Sequence, residues 1–363
     1  MTKLNDDQVK NLLSKSRNPA DKVREEDVDK YQISLDEIES FGDAESIQEM
    51  EDAIESYRRM LQEKITFINP VLTKAIPFTR ENLYTICAYT GSGKSTIAAN
   101  ISYALWQEQK KVLIISNEES KADVLFRIGC LYYGYNFNDY KKDMMPDALI
   151  TQVKALFPDI AKYVKIIDVN YKDAFTQKLE AVISALESVK KDGGFSCALI
   201  DYYQLISKSI KDPSRKKYDV LDELRQYLGQ YIKSSDIPIV LFAQLHSFGK
   251  RSNPDLDSRI KDCPGIVEPS TVIIEAIPDF ENNVTDFRIA KDRFGLQGHR
   301  IPCGFDKGRF VPCDEKWEQK QQDKKLKQLE EMAYGLEEPG EDSEEDAAQL
   351  PAVSSSEPEP EQQ

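Results

Sequence analysis

An apolar stretch, Leu83-Tyr84-Thr85-Ile86-Cys87, runs without interruption into Ala88-Tyr89-Thr90-Gly91-Ser92-Gly93-Lys94-Ser95-Thr96, and the residues after Ser95 favour a helix. Strand, small-residue turn and helix start, in this order, constrain the chain to an α/β fold built around an anion-binding corner. Gly91 and Gly93 allow backbone N–H groups to turn inward around a phosphate, and the helix N-terminus adds its partial positive charge. Lys94 is placed to bridge the β- and γ-phosphate oxygens of a nucleoside triphosphate, and the Ser95 hydroxyl to complete a Mg²⁺ shell. The strict phosphate-loop pattern begins with glycine; here that position is Ala88, which carries the smallest side chain available.

Between Leu83 and Pro312 short apolar runs alternate with helical patterns, the signature of a mostly parallel sheet with crossover helices. The runs are Leu83–Cys87, Val112–Ser116, Val164–Ile167, Cys197–Ile200, Ile237–Ala243, Val272–Ala276 and Phe287–Ala290. Two of them lead into carboxylates. The strand ending at Asp201 reads as the metal-orienting acid of a phosphate-loop enzyme. The strand Val112–Ser116 is followed by Glu118 and Glu119, either of which could polarise an attacking water.

The flanks read differently. Residues 1–33 are polar and loosely ordered in expectation, and 34–66 form a helical extension in which Ser46 and Glu49 have capping-box spacing. Ile47, Met50, Ile54, Tyr57 and Leu61 recur at helical intervals, either covering the domain's own core or docking on a neighbouring subunit. Residues 67–313 form the nucleotide-binding domain, 314–336 a charged helix, and 337–363 a disordered tail with ten acidic residues and no Lys or Arg.

The net charge of -15 argues against a nucleic-acid partner only until it is mapped. Residues 83–310 hold 31 Lys+Arg against 29 Asp+Glu, so the acidity lies in the flanks and a basic patch is compatible with the centre. No apolar run reaches the length of a membrane span or a secretory signal, which predicts a cytoplasmic protein without membrane contact. The six cysteines, Cys87, Cys130, Cys197, Cys263, Cys303 and Cys313, form no CxxC pair and indicate neither zinc nor disulfides.

Five segments in order, AYTGSGKST, VLIISNEESKADVLFR, ALIDYYQLI, IPIVLFAQLHS and RIAKDRFGLQGHRIPCGFDKGRF, resemble the RecA-type ATPase domain of DnaB-family replicative helicases over roughly residues 83–311. The resemblance implies a RecA-like P-loop domain, with a twisted, mostly parallel sheet flanked by helices, that binds ATP and Mg²⁺. It favours Glu118 over Glu119 as the water-activating base, and assigns Asp201 to Mg²⁺ and Gln244 to sensing the γ-phosphate. It further implies that Lys291 and Arg293 reach a neighbouring subunit's γ-phosphate, Arg293 as arginine finger, within a homo-oligomeric ring, a hexamer by family habit.

Two basic segments follow strands where the family places its single-stranded DNA loops. One contains Lys208, Lys211, Arg215, Lys216 and Lys217; the other contains Lys250, Arg251, Arg259 and Lys261. A primase or a loader would be a further partner. Three departures stand out: the chain before Leu83 is short for the family's N-terminal helical domain, FINPVLTKAIPFTREN replaces the glycine-rich approach to the loop, and Gly265-Ile266-Val267-Glu268-Pro269-Ser270 stands where an acid-rich segment typically follows the second loop. Two other readings of the same fold are a filament-forming strand-exchange recombinase and a regulatory ATPase acting on protein partners.

Overall fold

The computed structural model describes residues 65–334 apart from 77, 169–174, 236, 247–255 and 263, together with residues 48, 50–52, 54, 55 and 58. The readings made for residues 1–33 and 337–363, for the Ser46/Glu49 capping pair, and for Lys250 and Arg251 lie outside the described residues. The described residues between 48 and 58 are helical and exposed, Met50 and Ile54 included.

Nine strands form one sheet: β1 (Leu83–Ala88), β2 (Lys111–Ser116), β3 (Val164–Ile167), β4 (Phe195–Asp201), β5 (Ile239–Gln244), β6 (Val272–Asp279), β7 (Val284–Asp292), β8 (Arg300–Asp306) and β9 (Arg309–Pro312). Their spatial order is β3-β2-β4-β5-β1-β6-β7-β8-β9. The first six run parallel, and β7 and β8 continue the sheet antiparallel. Each of the seven apolar runs supplies a strand. β8 and β9 were not foreseen, because Pro302 and Gly304 give Arg300–Asp306 the composition of a turn.

β1 is buried at every position, as a central parallel strand covered on both faces must be. Tyr84, Ile86 and Ala88 face one core while Leu83 and Cys87 face the other, following the two-residue period of a strand. The first core is completed by α1 (Pro70–Ala75), α2 (Lys94–Gln107), α3 (Lys121–Tyr133) and residues of α6 (Phe157–Tyr163). The second is completed by α7 (Leu179–Asp192) and α8 (Lys217–Ser234). In α8, Val220, Leu221, Leu224, Leu228, Tyr231 and Ile232 make one buried stripe at helical spacing.

Two shorter helices, α4 (Phe137–Lys141) and α5 (Asp147–Ala155), add a small satellite core in which Phe137, Met145, Leu149 and Val153 meet Phe126 and Cys130 of α3. A four-residue helix, α9 (Leu256–Arg259), precedes the 3₁₀ turn Pro264–Val267. Among the described residues no helix is long and apolar enough to cross a membrane. The chain divides into two units, Met1–Val311 and Pro312–Gln363. In the second, α10 (Glu315–Tyr334) starts with the Trp317 N–H donating to Asp314 Oδ1 at 3.0 Å.

The segment ahead of β1, residues 67–82, packs against that strand. Phe67 and Phe78 pack with their rings tilted and centroids 4.9 Å apart, and Phe78 meets Tyr84 edge-on at 4.7 Å. The buried Tyr84 hydroxyl accepts the Thr79 N–H at 2.8 Å; burial pushes its pKa up to about 12, so it remains neutral. Asn69 caps α1 by accepting the Leu72 N–H at 2.9 Å and donates to the Phe310 carbonyl at 3.2 Å, joining the segment to β9. Asn69→Ala is therefore expected to cost about 1–3 kcal/mol, seen as a lowered denaturant midpoint at unchanged slope in equilibrium unfolding.

Candidate active site

The register of the parallel strands assembles the site. Ala88 lies opposite Gln244 at the ends of β1 and β5, and Ser116 opposite Asp201 at the ends of β2 and β4. Every connection that leaves these ends therefore starts from one edge of the sheet, where open α/β folds bind ligands.

Between β1 and α2 the loop turns through Gly91 at φ 76° and Gly93 at φ 85°, backbone conformations that L side chains rarely adopt. Ala88, by contrast, is the last residue of β1 and is not among the positive-φ residues. Its position needs no glycine, which accounts for the departure from the strict pattern.

Lys94 opens α2 and is 9% exposed. Its Nζ donates to the Tyr89 carbonyl at 3.4 Å and lies 5.3 Å from the Tyr202 ring centroid. Burial lowers its pKa, while Asp201 and Glu118 oppose that shift. Asp201 is 4% exposed; burial pushes its pKa up to about 6 against a hydrogen bond from Ser95, with Glu119 raising it further. Asp201 Oδ1 is buried without a hydrogen-bond partner among the described residues. A buried carboxylate oxygen left open, with a serine hydroxyl on the same group, fits the donor set of a hydrated Mg²⁺.

The two adjacent glutamates differ in their surroundings. Glu119 pairs with Arg127 of α3, its N–H donates to Ser116 Oγ at 3.1 Å, and burial raises its pKa against Arg127. Glu118 is exposed and lines the cleft, with Lys94 and Asp201 each feeling its charge. On the far side of the loop, Gln244 Nε2 donates to Thr90 Oγ1 at 2.5 Å.

The cleft encloses about 460 Å³ and is lined by Thr90–Thr96, Glu118, Glu119, Arg127 and Gln244 on the side of the glycine loop. Its other wall is the turn between β6 and β7, from Pro278 to Thr285, with Phe305 and Phe310. Sequence reasoning passed over this wall. Pro278, Asp279, Asn282 and Asn283 mark a hairpin turn, but no local signal says that the hairpin closes a cleft.

The remaining candidates are placed elsewhere. Lys291 Nζ donates to the carbonyls of Val267 at 2.6 Å and Glu268 at 3.2 Å, and Arg293 donates to Glu268 at 3.0 Å; neither lines the cleft. Lys208, Lys211 and Lys216 are exposed, whereas Arg215 pairs with Glu223, and Lys217 with Asp262 at 2.7 Å. Lys261 is half-buried. Arg259 pairs with the fully buried Glu275 at 2.5 Å, and Arg288 pairs with that same carboxylate.

With this geometry in place, comparison with known proteins gives a consistent result. The family described as the DnaB-like helicase C terminal domain matches residues 72–306. The chain belongs to the DnaB-like helicase family. As a family member it is an ATPase helicase with a RecA-like P-loop fold. Among solved structures, one ATPase domain aligns with a TM-score of 0.60 at 17% identity, covering 75% of this chain and 100% of that one. A DnaB-like replicative helicase, solved in a study of its interactions with primase, aligns with a TM-score of 0.59 at 19% identity, covering 77% of this chain and 70% of that one. No curated protein matches the chain in sequence.

Asp201 supplies a test in which stability and binding move in opposite directions. Its folded-state pKa of about 6 lies above the ordinary carboxylate value, so its charge opposes folding above about pH 6 and stops doing so below about pH 4. Asp201→Asn is expected to stabilise the nucleotide-free helicase at pH 8 by up to about 3 kcal/mol, with the gain fading toward pH 4, and to abolish stabilisation by nucleotide with Mg²⁺. Thermal unfolding at both pH values, with and without Mg²⁺ and nucleotide, reads both effects.

Proposed function

We propose that this chain hydrolyses ATP at the subunit interfaces of a ring, a hexamer, and uses the cycle to translocate on single-stranded DNA in the cytoplasm during DNA replication. The observation that carries the reading is the meeting of Lys94, Glu118 and Gln244 at one cleft on the carboxyl edge of the sheet, with the buried Asp201 in electrostatic reach of Lys94 and Glu118. The family match supports the class of activity, and the primase study of a DnaB-like relative makes a primase the partner to test first.

Each residue then has a task. The amides of Ala88–Thr96, turned inward at Gly91 and Gly93, hold the β-phosphate, while Lys94 exchanges its long contact with Tyr89 for β- and γ-phosphate oxygens. Ser95 and Asp201 would hold Mg²⁺, which supplies charge neutralisation on the β- and γ-phosphates. Glu118 accepts the proton of the attacking water, because Glu119 is committed to Arg127. Gln244 reports the γ-phosphate through its contact with Thr90 Oγ1. Arg293 and Lys291 act on the nucleotide of the neighbouring subunit, leaving their main-chain acceptors for phosphate oxygens.

DNA contact falls to Lys208, Lys211 and Lys216, which are exposed, together with Lys250, Arg251 and Lys261. Arg259 has a structural task in its pairing with Glu275, and Arg215 and Lys217 become available only by giving up Glu223 and Asp262.

Glu118→Gln is expected to retain ATP binding while slowing turnover by about 10²–10⁴-fold, and Glu119→Gln to disturb the Arg127 pair with a smaller loss of turnover; the reverse ranking in steady-state assays moves the base to Glu119. Mixing Lys94→Ala with Arg293→Ala subunits should restore part of the turnover that each lacks alone, and no recovery at any ratio removes the finger in trans. Stimulation of turnover by single-stranded DNA should fall steeply between about 50 and 200 mM salt. A turnover rate indifferent to single-stranded DNA at low salt overturns the DNA-translocating reading.

A further inference from the structure

Between the nucleotide cleft and the two loop-bearing strand ends lies a buried carboxamide that the mechanism above does not use. β4 pairs with β5 only as far as Ile200 opposite Leu241, whereas β1 stays in register with β5 up to Ala88 opposite Gln244. On its β4 side, Gln244 therefore lacks a strand partner for its N–H and C=O. The side chain of Gln204 takes that place. Its Oε1 accepts the Gln244 N–H at 3.0 Å, and its Nε2 donates to the Gln244 carbonyl at 3.1 Å and to the Lys261 carbonyl at 2.9 Å. Gln204 is 2% exposed, so these bonds form away from water and hold their geometry.

Each end of this carboxamide leads somewhere. Gln244 carries the side chain that meets Thr90 in the phosphate loop. The Lys261 N–H donates back to the Gln244 carbonyl at 2.9 Å, the His246 N–H donates to the Arg259 carbonyl at 2.9 Å, and Leu245 bridges Ile260 antiparallel. The chain leaving β5 and the chain returning at 256–261 are thus a closed stem, and Gln204 clamps its base. Gln204 itself lies in the 3₁₀ turn Tyr203–Leu205, three residues after Asp201 and four before Lys208. One amide group touches the strand end that senses nucleotide, the root of the second basic segment and the approach to the first.

We infer that Gln204 is a positioning residue that transmits nucleotide occupancy from Gln244 to the roots of both basic segments. This rests on the reading of the cleft as the nucleotide site. When Gln244 shifts to follow the phosphate that Thr90 adjoins, its N–H and C=O carry the Gln204 amide with them, and the Nε2 bond moves Lys261. A glutamine is required, since the position needs an acceptor for one N–H and two donors for two carbonyls. Glutamate has the same shape but sets an oxygen against both carbonyls, and methionine fills the space with no donor at all.

The test compares wild-type full-length protein with Gln204→Glu and Gln204→Met by hydrogen–deuterium exchange, with and without Mg²⁺ and a non-hydrolysable ATP analogue. Protection of residues 90–96 by the analogue reports nucleotide binding and an intact fold. In the wild type the analogue should also slow exchange at 205–211 and 256–262 by about 5-fold or more. In the variants that second response should shrink below about 2-fold while protection of 90–96 persists; a residue with only a packing role would lower stability without separating the two responses. Variants that keep the wild-type response at 205–211 and 256–262, or a wild type without one, overturn the inference. Binding of a labelled oligothymidylate is measured alongside. Its absence in a wild type whose loop roots respond removes the DNA reading and leaves the role of Gln204 standing, and loss of protection at 90–96 in the wild type removes the nucleotide reading itself.

Discussion

The pairing of β1 with β5 and of β2 with β4, in a register that ends Ala88 beside Gln244 and Ser116 beside Asp201, is the constraint on which the site depends. Parallel strands keep side chains on both faces buried, so a slip of one residue would exchange the two hydrophobic cores and move every functional group to the wrong face. The apolar residues of β1 and β5 thereby act at a distance: they do not line the cleft, but they decide which side chains meet there.

At that edge the charges are held out of water without complete compensation. Lys94 and Asp201 are both nearly buried, and burial works against the ionised form of each. Their mutual attraction recovers part of the loss, and an anionic phosphate with its cation would recover more. The cost of burying these two groups is carried by the two large hydrophobic cores on either face of the sheet.

Much of this was legible in the sequence because it is local. A strand running into glycines and a lysine, or ending in an acid, announces itself within ten residues, and each of the seven apolar runs supplied a strand. What escaped was non-local. The hairpin wall from Pro278 to Thr285 belongs to the cleft only because β6 lies beside β1, and the choice between Glu118 and Glu119 turns on Arg127, one helix away. Arg259 read as one of the DNA-contacting cations of a basic stretch, yet its partner Glu275 sits sixteen positions on, in the middle of a buried strand. β8 was missed for the opposite reason: its proline and glycine look like a turn until a neighbouring strand accepts them.

Glu275 has a consequence for how sequences of this kind can vary. Its carboxylate is wholly buried between Arg259, which arrives after β5, and Arg288 on β7. Losing Glu275 would leave two guanidiniums facing each other with no carboxylate between them, a penalty of about 3–5 kcal/mol when a buried pair is broken, whereas losing one guanidinium leaves a charge-balanced pair with the other. Position 275 is therefore held by both of its partners, while positions 259 and 288 are each free to change only as long as the other keeps its guanidinium.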